Sequence, residues 1–305
     1  MPGDEQSVTI VDAINDLAGV HPGYRAAHAR GTCAEGTFTP TADAGRLSRA
    51  THFQGDPVPV TVRFSNGNGN PTVPDSDHDG RGMAIKFRLP DGSSTDIVSL
   101  SLSVFFVRTP EDFLDFTRAR KPDPATGGPD MEKVGAFLAA HPEAHQAVGL
   151  AIGTPPPASY AQVRYHSIHA FRLVDGSGEG RFARYRLDPD AGEAVITDEE
   201  AQGRSPNYLT LELEDRLKAG PVVYTLLAQL AGEGDDATDP TVAWPDERET
   251  VTLGRLDLTD FTGDGCDKTI FDPTNVTDGI ECSEDQILHA RSGAYSVSYE
   301  RRMKA

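Results

Sequence analysis

The side chains best suited to chemistry lie near the two ends of this sequence. Towards the C-terminus Arg291 precedes Tyr295 by one helical turn, with Asp285 shortly upstream. A phenol ordinarily ionises only near pH ~10. A guanidinium one turn away on a helix favours the phenolate, an electron-rich oxygen donor. Towards the N-terminus His28 follows Arg25 in YRAAHARG. An imidazole titrates close to neutrality, so it can take up a proton and return it within one reaction. Taken singly, such an Arg–Tyr pair or a lone His is commonplace and more often structural than reactive. Asp75, Asp77 and Asp79 alternate in PDSDHDG like the opening of a calcium loop. The Glu that should close such a loop is missing, so only a turn is expected.

These residues need elements to hold them. Val11, Ile14, Leu17 and Ala18 recur at helical spacing, so Val8 to Ala18 predicts a short amphipathic arm within residues 1–20, broken by HPGY. Val58 to Ser65, VPVTVRFS, alternates and predicts a strand, followed by a turn at NGNGNP. TPEDFLDFTRAR predicts a helix capped by Thr109 with Pro110 at its first position, and DMEKVGAFLAAHPEAHQAV predicts more helix. PDPATGGPD links them. Tyr160 to Pro189 predicts two strands, RYHSIHAFRLV and GRFARYRLD. Asp198 to Asp215 predicts one helix and PVVYTLLAQLA a buried strand, while Trp244 is expected to serve packing.

The run from Ile270 to Arg302, IFDPTNVTDGIECSEDQILHARSGAYSVSYERR, resembles the haem-ligating segment of the monofunctional catalases. There F-D-P-x-N…G-I-E…D leads into R-x-x-x-Y. Tyr24 to Thr41 is similar to that family's distal segment, R-x-x-H-A-x-G followed by a G-x-F strand, and His28 is read as a strand residue. VRFS and RGMAIKF follow in the family's order, and KPDPATGGPD resembles small catalase-like peroxidases in particular. The resemblance covers roughly residues 8–304. It implies an α+β fold, a closed antiparallel β-barrel of about eight strands with helices packed outside. One haem domain would span residues 1–305, without the wrapping or flavodoxin-like segments of longer relatives. It further implies haem (iron protoporphyrin) as cofactor and Tyr295 as the axial ligand of its iron. His28 would be the distal base, with Ser65 fixing its ring. Arg25, Arg63 and Arg302 would neutralise the haem propionates, with Arg301 a rival to Arg302. Phe105 and Phe106 would line or buttress the distal cavity. His169 and Asp285 would support Arg291 behind the ligand.

The largest departure from the family lies in TDIVSLSLSVFFVRT. The family's D-L-V-G-N-N-T-P-V-F-F aligns through Asp96, Val98 and Val104–Phe106, which places Leu100 where the distal catalytic Asn should stand. Leu cannot donate a hydrogen bond. Ser101 beside it would face the other way if it continued the strand. Removing one oriented donor typically costs about 10²-fold or more in rate. The resemblance therefore implies a peroxidase reducing hydrogen peroxide or organic hydroperoxides with a small organic reductant, and only weak dismutation. A hydroperoxide isomerase of the allene oxide synthase type, or a haem-binding protein without turnover, are the alternatives.

The formal net charge of −19 argues against nucleic acid and anionic membrane surfaces. No run is long and apolar enough to span a membrane, and no secretion signal is expected from MPGDEQSVTIVDAIND. Cys33, Cys266 and Cys282 show neither zinc spacing nor a disulfide framework, so a reducing, cytoplasmic setting is expected. Assembly into a homo-oligomer is a further expectation.

Overall fold

The computed structural model describes residues 5–123 and 127–304. Its strands are β1 (Gly31–Pro40), β2 (Val58–Asn66), β3 (Arg81–Arg88), β4 (Ser94–Leu100), β5 (Tyr165–His166), β6 (Phe171–Val174), β7 (Gly180–Pro189), β8 (Val222–Leu230), β9 (Thr250–Gly263) and β10 (Ile280–Cys282). Its helices are α1 (Glu5–Ala18), α2 (Ala42–Leu47), α3 (Pro110–Ala119), α4 (Met131–Ala140), α5 (Ala144–Gly153), α6 (Asp198–Gln202), α7 (Tyr208–Ala219) and α8 (Gln286–Met303). The strands β1-β2-β3-β4-β5-β7-β8-β9 pair antiparallel in that order, and β9 returns to β1 to close a barrel. β6 and β10 extend β7 as a flap outside the closed ring. The expected α+β barrel with outer helices is the architecture found.

Strand alternation divides the work. On β2, Val58, Val60, Val62 and Phe64 fill the barrel, together with Met83, Ile85 and Phe87 of β3. The intervening residues look outward. Register aligns them into two cross-strand rows, Cys33–Arg63–Ala84–Val98 and Gly31–Ser65–Gly82–Leu100. A slip of one residue would exchange the barrel filling for these rows, so packing the core fixes the outer face as well.

Several expectations are corrected. Cys33 and Cys266 are joined by a disulfide across a sequence separation of 233, and Cys282 is free. Both partners are buried, and the closeness arises because β1 pairs with β9, which leads into the Cys266 turn. The argument for a reducing compartment therefore lapses. His28 is not in a strand: it precedes β1 in a left-handed conformation, φ 53°. The run RYHSIHAFRLV is broken into β5 and β6 because Ile168 is also left-handed, φ 61°. Asp198 to Asp215 is two helices, since Gly203 ends α6 before α7 begins. The strand in TDIVSLSLSVFFVRT stops at Leu100, where Ser101 turns back to Arg81 by hydrogen bonds in both directions, 2.8 and 2.9 Å. The amphipathic N-terminal segment is a helix as expected, with Ile10 and Val11 buried. Part of the PDPATGGPD link lies outside the described residues. No helix among the described residues is long and apolar enough to cross a membrane. Trp244 packs as expected, beneath the Arg184 guanidinium at 4.5 Å.

His52 sits among Phe38, Phe53 and Phe87 with both ring nitrogens buried and unpartnered. Burial pushes its pKa down to about 3. The folded state therefore holds the neutral ring. Its unfolded counterpart takes up a proton below pH ~6.5, so stability is complete above that value. It falls by up to about 1.4 kcal/mol per pH unit as pH drops towards 3. Replacing His52 by Phe should remove about 2 kcal/mol of the stability difference between neutrality and pH ~5 in urea titrations. An unchanged difference would contradict this assignment.

Candidate haem site

A cavity of about 760 Å³ lies between the outer rows of β2, β3 and β4 and one face of α8. On the barrel side it is lined by His28, Arg63, Ser65, Gly82, Ala84, Val98 and Leu100. The His28 turn is held from three directions. Its N–H donates to Gly67 O at 3.1 Å, the Ala29 N–H donates to Asn68 O at 3.0 Å, and Arg63 Nη2 donates to His28 O at 3.0 Å. Ser65 Oγ is 3.0 Å from His28 Nδ1. Glycine is required opposite them, because a Cβ on Gly82 would lie 2.7 Å from Ser65 Oγ and 2.9 Å from His28 Nδ1. The fields of Arg63, Arg291 and Arg25 add to the effect of burial, which comes first, and the imidazole pKa falls to about 3. The ring is thus neutral and able to accept a proton.

The facing wall is α8. Ile287, Ala290, Arg291, Ala294, Tyr295, Ser298 and Arg302 line the cavity, three or four residues apart, so a single helical stripe carries them. Asp285 starts the helix. Its Oδ1 accepts the N–H groups of Ile287 and Leu288 at 2.8 and 3.2 Å, while its Oδ2 is 2.6 Å from His169 Nδ1. Arg291 Nη1 donates to His169 Nε2 at 3.0 Å. Its Nε donates to Tyr295 Oη at 3.1 Å, and its Nη2 donates to the same oxygen. Asp285, His169, Arg291 and Tyr295 thereby form one chain of hydrogen bonds. Burial keeps the His169 pKa low despite Asp285. The neutral tautomer with its proton on Nδ1 meets both neighbours, donating to Asp285 and accepting from Arg291. Phe105 lines the cavity beside this chain, its ring centroid 6.4 Å from that of His169.

At one edge Arg25, Arg63 and Arg302 gather. Arg25 donates to Thr269 O at 2.9 Å and meets Asp267 at 3.4 Å. Arg302 reaches Thr269 O at 3.4 Å. Burial and mutual repulsion push Arg63 down to about 9 and Arg302 down to about 10. The Nε atoms of Arg63 and Arg302 are buried without partners. Arg301 instead meets Asp12 at 2.7 Å on the surface, while Arg302 lines the cavity. A cationic edge with unmet donors, a phenol on one wall and a neutral imidazole on the other fit the haem that the sequence resemblance implies.

Sequence reading named His28, Arg63, Ser65 and Leu100 on one wall and Arg291, Tyr295 and Arg302 on the other. It missed what fastens them. Asp96 accepts from Lys86 at 2.6 and 2.8 Å and from the Asp272 N–H at 2.9 Å, docking the FDPTN segment on β4. Ser292 donates to Asp272 at 2.6 Å, and Ser298 Oγ accepts the Ala26 N–H at 3.1 Å, joining α8 to the His28 segment. These are ordinary polar residues whose role depends on distant partners, so no local pattern marks them. Asp75 is structural: its side chain takes hydrogen bonds from Arg30 and Asn66, each at 2.7 Å, and from the Leu209 N–H at 2.8 Å.

Comparison with known proteins places this geometry. The catalase family model matches residues 6–305. A catalase-related peroxidase of Mycolicibacterium paratuberculosis is 42% identical over 296 residues, covering 96% of this chain and 93% of the relative. One of Synechococcus elongatus is 37% identical, covering 97% and 88%. Among solved structures, a fungal catalase superposes with a TM-score of 0.83 at 27% identity, covering 92% of this chain and 60% of that one. Catalase A of Saccharomyces cerevisiae also gives 0.83, at 26% identity with 92% and 61% covered. With the family matched end to end and the barrel shared, the chain belongs to the catalase superfamily, alongside its small catalase-related peroxidases.

Proposed function

We propose that this chain is a haem-dependent peroxidase that reduces hydrogen peroxide or organic hydroperoxides at the expense of a small organic reductant. The peroxidase assignment follows from the family and its near-full-length relatives, which favour it over hydroperoxide isomerisation or haem carriage. The observation that carries the site reading is the placing of His28 and Tyr295 on facing walls of one cavity whose edge holds three arginines. Tyr295 Oη would hold the iron and Arg25, Arg63 and Arg302 the propionates. When bound, haem supplies the electrons that split the peroxide O–O bond.

The chain's own residues then handle protons and orientation. With the Nδ1 proton donated to Ser65 Oγ, His28 keeps a lone pair on Nε2 for the peroxide hydroxyl proton, which it returns to the departing oxygen. Arg291 directs two N–H groups at Tyr295 Oη and favours its anionic form, and His169 with Asp285 keeps Arg291 from turning away. Small residues, Gly82 and Ala84 opposite Ala290 and Ala294, leave room between the walls.

Leu100 shapes the outcome. It pairs with Gly82, whose missing side chain makes space for His28, so an apolar group stands beside the imidazole. A second peroxide is not oriented there by a donor. The reading is tested by an absorption spectrum of the purified protein and by oxidation of a chromogenic donor with hydrogen peroxide. Leu100→Asn should raise oxygen evolution from hydrogen peroxide about tenfold or more, out of the roughly 10²–10³ that an oriented donor can supply. No rise, with the haem spectrum intact, would show that Leu100 does not limit dismutation.

A further inference from the structure

Away from Tyr295 and His28 the same cavity continues among α1, α3, α4 and α5. Its wall there is largely hydrocarbon, including Ile14, Leu17, Phe106, Phe113, Met131 and Ile152. Met131 and Ile152 are also 70% and 68% exposed, so apolar groups stand where this branch meets solvent. Hydrogen peroxide needs no such surface. An apolar lining at an exposed mouth rewards ligands that bring hydrocarbon of their own.

Two basic groups interrupt this stretch of wall: His78, engaged by Ile152 O and Asp198, and Arg120. Arg120, which caps the C-terminus of α3, lines the cavity with its guanidinium 4.4 Å from the Phe116 ring centroid and 5.8 Å from that of Phe106. Among the described residues it is the one arginine whose guanidinium has neither a hydrogen bond nor an ion pair, and its Nε is buried without a partner. Asp79 acts on it only from a distance. That carboxylate already accepts the Asn68 N–H at 2.7 Å and has Arg81 3.9 Å away. Burial lowers the Arg120 pKa. Two aromatic rings flank the guanidinium. They accept nothing from its buried Nε–H, and an unmet charged donor in an apolar wall is costly unless something arrives to meet it.

We propose that Arg120 anchors an amphipathic monoanion, a molecule with a carboxylate head and an aliphatic or aromatic body that lies along the apolar branch. This rests on the peroxidase reading in one respect: the ligand is either the hydroperoxide or the organic reductant of that reaction. Arginine suits the task because its planar fork grips a carboxylate bidentately. The apolar wall holds the body, and the head sets the depth of entry.

Binding of dodecanoate and of neutral 1-dodecanol to the holoprotein, measured by calorimetry, tests the anchor directly. Dodecanoate should bind about tenfold or more tightly than the alcohol. In Arg120→Gln that preference should fall below about threefold, and Arg120→Lys should keep part of it. Equal affinities in the unaltered protein, or a preference that survives in Arg120→Gln, would overturn the proposal. Circular dichroism shows whether each variant is folded, and the comparison of the two ligands in the unaltered protein stands whatever the variants do. Steady-state assays then separate the two sources. Esterifying a carboxylate-bearing hydroperoxide raises KM if the anion is the oxidant; esterifying a carboxylate-bearing phenolic donor raises it if the anion is the reductant. Lack of a haem spectrum or of peroxide consumption would refute the peroxidase reading, while the binding comparison would still judge Arg120.

Discussion

With His28 replaced by Ala, the protein is expected to keep its haem and lose peroxide turnover by about 10²–10⁴-fold, the usual yield of general acid–base catalysis. The ring lies on the cavity wall and not inside the barrel, so its removal leaves the hydrophobic filling untouched. Arg63 bonds the backbone of the turn and so continues to shape it. What would disappear is the neutral Nε2 proposed to take a proton at the start of the reaction. Stopped-flow measurement of peroxide consumption at matched haem content checks this. Turnover within about threefold of the parent would remove His28 from the mechanism, since a catalytic base contributes far more than that.

Tyr295→Phe is expected to act on the cofactor itself. The substitution removes one oxygen and little volume, so packing along α8 survives. It strips Arg291 of an acceptor for two of its N–H groups, leaving His169 Nε2 as the remaining partner. The visible spectrum should lose the features of phenolate ligation and haem should dissociate faster. Peroxidase activity should fall by about 10²-fold or more, as when one preorganised charge-stabilising group is lost. Spectra of the two proteins at equal haem load, with haem transfer to an excess of an acceptor protein, give both readings. Superimposable spectra would exclude Tyr295 as ligand. Tyr295→His, which restores a different donor at the same position, should recover haem retention without recovering the phenolate spectrum.

The order of motifs carried most of the architecture. RAAHARG, VRFS, RGMAIKF and the run from Phe271 to Tyr295 are local patterns, and their resemblance to one family implied the barrel, its outer helices and residues on both walls of the cavity. What escaped the sequence depends on neighbours far along the chain. The disulfide needs β1 beside β9, which no spacing of Cys33 and Cys266 reveals. The left-handed turn at His28 is imposed by Gly67, Asn68 and Arg63, not by the propensity of histidine. The split of β5 from β6 follows from one residue, Ile168, whose backbone no pattern rule would place there. Nothing in TPEDFLDFTRAR marks Arg120, because a missing partner cannot be read from a list of residues. Arg301 and Arg302 are adjacent on a helix and alike in sequence; only the structure shows that Arg301 meets Asp12 of α1 while Arg302 lines the cavity.

One property of α8 reaches beyond ligation. From Asp285 to Arg302 the helix is a rod about 25 Å long, secured near one end by Asp285 against His169 and near the other by Ser298 with Ala26 and by Arg302 with Thr269. Between these fastenings Arg291 meets His169 and Ser292 meets Asp272, while Ala290 and Ala294 on the inner stripe face the cavity, so polar fastenings set its distance from the barrel there. The arrangement is that of a calliper. Loosening one jaw should shift the rod against the remaining bonds, so polar residues remote from the cavity's centre bear on the width of the gap.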